Sequence, residues 1–144
     1  MQNHFLDAAL GYLEDGFHVL PLKPKSKEPL TRRGFKDASN DPKQITSWWQ
    51  QYPDANIGIA TGKISNLLVI DVDGDIPPNW PPLPEALRVK THKGWHFYFR
   101  YPEGQTIRCR TKIGGYAVDI RADGGYIVAP PSRHPEGGCY AFIA

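Results

Sequence analysis

The stretch Leu67-Leu68-Val69-Ile70-Asp71-Val72-Asp73-Gly74 constrains this chain more than any other. An apolar, β-branched run of this kind reads as a strand, and it ends in two carboxylates one residue apart. Residues two apart on a strand share a face. Asp71 and Asp73 therefore point together, while Ile70 and Val72 turn the other way into a core. Two adjacent like charges repel unless something positive lies between them, and a divalent cation with oxygen ligands meets that need. Asp-x-Asp by itself equally fits a solvated acidic turn at a strand end. Two later strands shift the balance.

In Trp95-His96-Phe97-Tyr98-Phe99-Arg100, alternation sends Trp95, Phe97 and Phe99 to one face, expected to be the core, and His96, Tyr98 and Arg100 to the other. In Ala117-Val118-Asp119-Ile120-Arg121, Val118 and Ile120 face the core while Asp119 and Arg121 face away. On a shared sheet, Asp71, Asp73, His96 and Asp119 would converge on one polar surface. Three carboxylates suit a pair of Mg²⁺ or Mn²⁺ ions better than zinc, because hard cations prefer oxygen ligands. Such a pair can activate a 3′-hydroxyl and stabilise departing pyrophosphate in nucleotidyl transfer. Triphosphates also call for fixed positive charge and close backbone approach. Thr91-His92-Lys93-Gly94, just before the His96 strand, supplies a hydroxyl, a cation and a glycine. Arg108, Arg110 and Lys112 precede the Asp119 strand, and Arg121 shares the face of Asp119.

The rest of the chain frames this set. With 144 residues, 40% hydrophobic and 22% charged, it is expected to be one soluble domain with a sizeable core. The net charge of +2 names no partner, but basic residues concentrate at 23–36 and 108–121. Cys109 and Cys139 belong to no CxxC, which argues against a zinc ribbon and fits a reducing compartment. With no apolar run of about 18 residues and no signal-peptide layout, a cytoplasmic protein without membrane contact is expected. Residues 3–15 read as a helix with Phe5, Leu6, Ala9, Leu10, Tyr12 and Leu13 on one face, stopped at Gly16. A strand at 17–22 leads into a Lys- and Pro-rich loop, 23–30. That loop reads either as solvated surface or as a flexible cationic arm carrying Lys23, Lys25 and Lys27 to phosphates. Asp41-Pro42 starts a second helix that ends before Pro53, with Ile45, Trp48, Trp49 and Tyr52 on one side, and its tryptophans favour core over base stacking. Asn56–Ala60 and Leu67–Asp73 are expected to pair as a hairpin about Thr61-Gly62-Lys63. Residues 74–84 contain five prolines and resist regular structure, with a single helical turn expected at Glu85–Leu87. Strands are expected at 88–91, 95–100, 116–122 and 125–129, the last two forming a hairpin about Ala122-Asp123-Gly124-Gly125.

The motifs in this order resemble a known family. Leu68-Val69-Ile70-Asp71-Val72-Asp73, then Thr91-x-x-Gly94-x-His96-x-Tyr98-Phe99, then Val118-Asp119-Ile120-Arg121-x-x-Gly124-Gly125-Tyr126-Ile127-Val128-Ala129-Pro130-Pro131-Ser132 are similar to the bifunctional DNA primase/polymerase domain of the archaeo-eukaryotic primase superfamily. The likeness runs forward to Leu20-Pro21-Leu22-Lys23-Pro24, Trp48-Trp49 and Asn56–Gly62. It implies an α+β fold: a mostly antiparallel sheet bearing the acidic residues, similar to an RNA-recognition motif, beside a small N-terminal α/β module whose two helices pack on it. It implies that Asp71, Asp73 and Asp119 are catalytic and ligate two Mg²⁺ or Mn²⁺ ions, and that His96 contacts the phosphates of an NTP or dNTP. Thr91, Lys93, Arg121 and Ser132 join the expected nucleotide site. Lys23, Lys25, Lys27, Arg108, Arg110 and Lys112 are expected to bind nucleic acid. Implied partners are a single-stranded DNA template and a replicative helicase, fused or as a separate chain.

The chain departs from the family in three places. Gly94 stands where many relatives carry Ser, the 74–90 segment is short, and the sequence ends soon after Tyr140. Residues 1–144 thus read as the primase-polymerase catalytic domain, either cut from a longer replication protein or a minimal version. Templated primer synthesis is the leading reading. A non-catalytic nucleotide or single-stranded-DNA binding module stays open, as does a metal-dependent nuclease.

Overall fold

The fold is taken from a computed structural model that describes residues 4–80, 83, 84 and 86–143. Two helices come first. Helix α1 (His4–Glu14) buries Ala9 and Tyr12, and Gly16 ends it with a positive φ of 84° that suits glycine. Helix α2 (Pro42–Gln51) is capped by Asp41, whose side chain accepts from the Lys43 N–H at 3.0 Å. It buries Ile45 and Trp49. Trp49 is core and its indole N–H donates to the Ala55 carbonyl at 3.0 Å, while Trp48 is half-buried beside it.

Among the described residues, eight strands form two sheets, antiparallel throughout. Strands β1 (Val19–Leu22), β2 (Asn56–Ala60) and β7 (Tyr126–Ala129) make a small sheet in the order β1-β2-β7. Strands β3 (Leu67–Asp73), β4 (Leu87–Lys90), β5 (Gly94–Arg100), β6 (Val118–Arg121) and β8 (Ala141–Ile143) make the larger one, ordered β6-β3-β5-β4-β8. This is an α+β fold. Both helices contact the small sheet, α1 through β1 and β2 and α2 through β1, and their side chains also reach the sheet that carries the acidic residues: Ala9, Tyr12 and Trp49 share a buried cluster with Leu67, Val69, Val89 and Tyr98, and the Tyr12 ring lies 6.5 Å from that of Phe142.

Both expected hairpins are corrected. β2 and β3 lie in different sheets, and so do β6 and β7. Thr61-Gly62-Lys63 is a crossover. Gly62 keeps a positive φ of 98°, and a Cβ there would collide with Asp123. The Thr61 hydroxyl donates to the Ala122 carbonyl at 2.7 Å, and Asp123 accepts the Lys63 N–H at 2.9 Å. The two crossings from sheet to sheet are thus stitched to one another. Leu87 opens β4 instead of closing a helical turn, and Glu85 lies outside the described residues. Strand β8 was not foreseen.

The core face expected on the larger sheet is present, but it is only part of the core. The main cluster joins Ala9, Trp49, Ile57, Ile59 and Ile127 to Leu67, Val69, Val89 and Tyr98 of the larger sheet. Leu67 and Val69 share the face of Asp71, and Tyr98 shares that of His96. The principal core therefore lies on the face of the acidic residues, below them. Val72, Phe97 and Val118 form a second cluster on the opposite face, covered by Trp80, Leu83 and Ala86 of the proline-rich stretch. Leu20, Leu22 and Val128 form a third on the outer face of the small sheet. No helix among the described residues is long and apolar enough to cross a membrane.

Candidate active site

Strand register places the polar residues. Asp71 of β3 lies directly opposite His96 of β5 on one side and Asp119 of β6 on the other. Directly opposed residues share a face, so Asp119, Asp71 and His96 form one row across three neighbouring strands. Asp73 follows two residues on, opposite Gly94, and is exposed. The row floors a cleft of about 840 Å³.

At the centre of the row, Asp71 Oδ1 faces His96 Nε2 at 3.4 Å, and Asp71 Oδ2 faces Arg121 Nη2 at 3.5 Å. The same Nη2 donates to Asp119 Oδ2 at 2.9 Å, and Asp119 Oδ1 accepts the Lys112 backbone N–H at 3.0 Å. Burial pushes the Asp71 carboxyl up, but the hydrogen bond and charge of His96, with Arg121, outweigh it and hold Asp71 below the usual carboxylate range. His96 is 6% exposed, and its Nδ1 has no hydrogen-bond partner among the described residues.

Thr91 and Lys93 line the cleft. The Thr91 hydroxyl also accepts the Gly94 N–H at 3.0 Å, which tightens the turn into β5. Gly94 is fixed by close approach: a Cβ there would overlap the Val72 carbonyl oxygen. A serine hydroxyl at this position is thus incompatible with the β3–β5 pairing of this chain.

Of the basic residues expected at nucleic acid, Lys27 and Lys112 line the cleft, and Lys23, Lys25, Arg108 and Arg110 stand outside it. The Lys-rich loop is anchored, not a flexible arm. Its Lys27 carbonyl accepts the Tyr126 hydroxyl at 2.6 Å, its Ser26 carbonyl accepts from Asn56 at 3.0 Å, and Lys23 pairs with Glu28 at 3.0 Å. Arg108 and Arg110 are exposed on a segment that pairs alongside 120–123. Ser132 is fully buried, and its hydroxyl oxygen accepts the Ile57 N–H at 2.8 Å, so it fastens β2.

What Ser132 fastens is the start of a wall that sequence reasoning missed. The chain reverses at Pro130-Pro131 and returns over the cleft through Arg133, His134, Glu136 and Tyr140. Rings adjoin one another in series at tilted angles: His92 to His134 at 5.1 Å, His134 to Tyr140 at 4.2 Å, and Tyr140 to His96 at 6.2 Å. His92 Nε2 also meets Glu136 at 2.9 Å. Burial and the neighbouring His92 charge hold His134 below its ordinary value, against a backbone hydrogen bond to Cys139 that raises it. Burial and the Asp71 charge push the Tyr140 hydroxyl up. The available signal was position, since a histidine and a tyrosine follow closely on the Pro-Pro reversal.

The donor chemistry of Asp71, Asp73 and Asp119 fits hard divalent cations. Among the described residues, however, no three His, Cys, Asp or Glu side chains already converge as a metal cage. The guanidinium of Arg121 takes the space between Asp71 and Asp119.

No curated protein matches the chain. One protein family does, described as bifunctional DNA primase/polymerase, N-terminal, and the match spans residues 9–144. With nearly its whole length matched and the motif residues gathered on one cleft, this chain belongs to the bifunctional DNA primase/polymerase N-terminal family.

Proposed function

We propose that this cleft carries out templated nucleotidyl transfer, building primers from nucleoside triphosphates on single-stranded DNA. The observation that supports it most is the cross-strand row Asp119, Asp71 and His96 beneath a basic rim that includes Lys27, Lys93 and Lys112. Asp71, Asp73 and Asp119 would hold two Mg²⁺ or Mn²⁺ ions, which when bound supply Lewis-acid activation of a 3′-hydroxyl and neutralise pyrophosphate. His96 faces Asp71 through Nε2, its Nδ1 is buried, and its ring lies 6.2 Å from that of Tyr140. Lys93 and Lys112 line the same cleft and bring positive charge to it, where phosphates would lie. The wall from Arg133 to Tyr140 narrows the cleft and limits water around the reacting groups.

The test is synthesis from labelled triphosphates on unprimed single-stranded DNA with Mg²⁺ or Mn²⁺. Wild type is compared with Asp71→Asn, Asp119→Asn and His96→Ala, all checked for folding by circular dichroism. Template-dependent products are expected from wild type and absent from both Asp variants, with a primed template separating extension from initiation. A second reading is a nucleotide- or DNA-binding module without turnover. The ion pair between Arg121 and both carboxylates favours it, because those acids are then already neutralised. Tight triphosphate binding with no product on either template would select that reading.

A further inference from the structure

Arg121 stands on β6 two residues beyond Asp119, in the row of Val69 rather than that of Asp71. Its Nη2 lies 2.9 Å from Asp119 Oδ2 and 3.5 Å from Asp71 Oδ2. The other oxygen of each carboxylate is already engaged, Asp119 Oδ1 by the Lys112 N–H and Asp71 Oδ1 by His96. Both Oδ2 atoms therefore address one gap, and an arginine nitrogen fills it. A cation held jointly by Asp71 and Asp119 through these oxygens would need the same gap, and two positive groups cannot share it. The arginine enters sideways along the sheet face, and its side chain is one-third exposed. It can leave by rotation about its own bonds while β6 stays paired.

We infer that Arg121 is an internal counter-ion that occupies the cation seat in the metal-free protein and is expelled when a divalent ion binds. Released, its guanidinium turns into the cleft and meets the triphosphate. This rests on the metal-dependent reading above. One side chain then couples two ligands: the metal frees the donor, and the phosphates hold the donor away from the metal. Linkage requires the coupling to be reciprocal, so triphosphate tightens metal binding by the factor by which metal tightens triphosphate binding. In the absence of metal, the same arginine suppresses the repulsion between two carboxylates on neighbouring strands.

The experiment is a Mn²⁺ titration without nucleotide, following free Mn²⁺ by electron paramagnetic resonance, on wild type, Arg121→Gln, Arg121→Lys and Asp71→Asn. Removing the competing charge should tighten Mn²⁺ binding by on the order of tenfold in Arg121→Gln. It should also enlarge the rise in melting temperature that Mn²⁺ produces, and Asp71→Asn should lose the site. Triphosphate binding at saturating Mn²⁺ should weaken in the same Arg121→Gln protein. An ion pair with a purely structural role would not give effects of opposite sign on the two ligands. If Arg121→Gln binds Mn²⁺ no better than wild type while Asp71→Asn loses binding, the inference is overturned and the metal site stands. If folded wild type and folded Arg121→Gln both bind no Mn²⁺, the metal-dependent reading itself fails and the inference with it. Should Arg121→Gln not fold, Arg121→Lys is judged by the same criterion, with an affinity above wild type expected because a shorter ammonium bridges the gap less well.

Discussion

At the scale of the residue, the same side chain can serve a ligand or the backbone, and only its partners tell which. Ser132 closes a motif read from sequence as part of the nucleotide site, yet it is spent on Ile57. Ser132→Ala should therefore cost about 1–3 kcal/mol of stability, the usual cost of leaving a buried backbone N–H without its acceptor. Urea denaturation would measure that loss. Triphosphate affinity should stay near wild type at a temperature where the variant is folded, and an affinity loss without a stability loss would return Ser132 to the ligand. Asp71, Asp119 and His96 were legible because each interrupts an apolar alternation on a strand. His134 and Tyr140 were not, because they lie in a turn-rich segment where no periodicity marks a facing direction.

At the scale of the element, strand positions were legible and strand partners were not. β2 and β3 carry the boundaries their sequences suggest, but Thr61-Gly62-Lys63 has the composition of a hairpin turn and performs a crossing between sheets. Local chemistry fixes that the chain turns, not where it goes next. The face of β5 was legible only in part. Trp95, Phe97 and Phe99 do face a core, with Val72 and Val118, but this sheet is apolar on both faces, and Tyr98 and His96 lie on the side of the larger cluster.

The crossing also makes a prediction of its own. Asp123 accepts the Lys63 N–H and the Tyr101 hydroxyl, both at 2.9 Å. The Lys63 N–H lowers its pKa most; its slight burial opposes this, and Tyr101, Lys63 and Arg108 lower it further, leaving it below the ordinary 3.8. A carboxyl depressed in the folded state stabilises the fold above its unfolded pKa, and this contribution disappears as pH falls through the lower folded value. Asp123→Asn should thus melt below wild type at pH 7, and the gap should close once pH drops below about 4. Melting curves across that range would show it, and a gap independent of pH would exclude the ionised form as the source.

At the scale of the whole molecule, Asn56 links three parts of the chain. From β2 its amide donates to the Ser26 carbonyl at 3.0 Å and to the Arg133 carbonyl at 2.9 Å, and its oxygen accepts the Arg133 N–H at 2.9 Å. Asn56→Ala removes all three bonds and should destabilise the protein by about 2–4 kcal/mol. It should also speed trypsin cleavage after Lys25, Lys27 and Arg133 ahead of other basic sites, as mass spectrometry of timed digests would reveal. Uniform acceleration at every site would mean global loosening instead.

The acidic floor belongs to one sheet, whereas the wall beginning at Arg133 hangs from β7 of the other, and the two sheets are sewn together at the Thr61–Asp123 crossing. Such an object works like a book with its binding at one margin. Whatever is held between its pages touches both covers, so an occupant of the cleft would be felt simultaneously by the N-terminal helices and by the strands that bear the carboxylates.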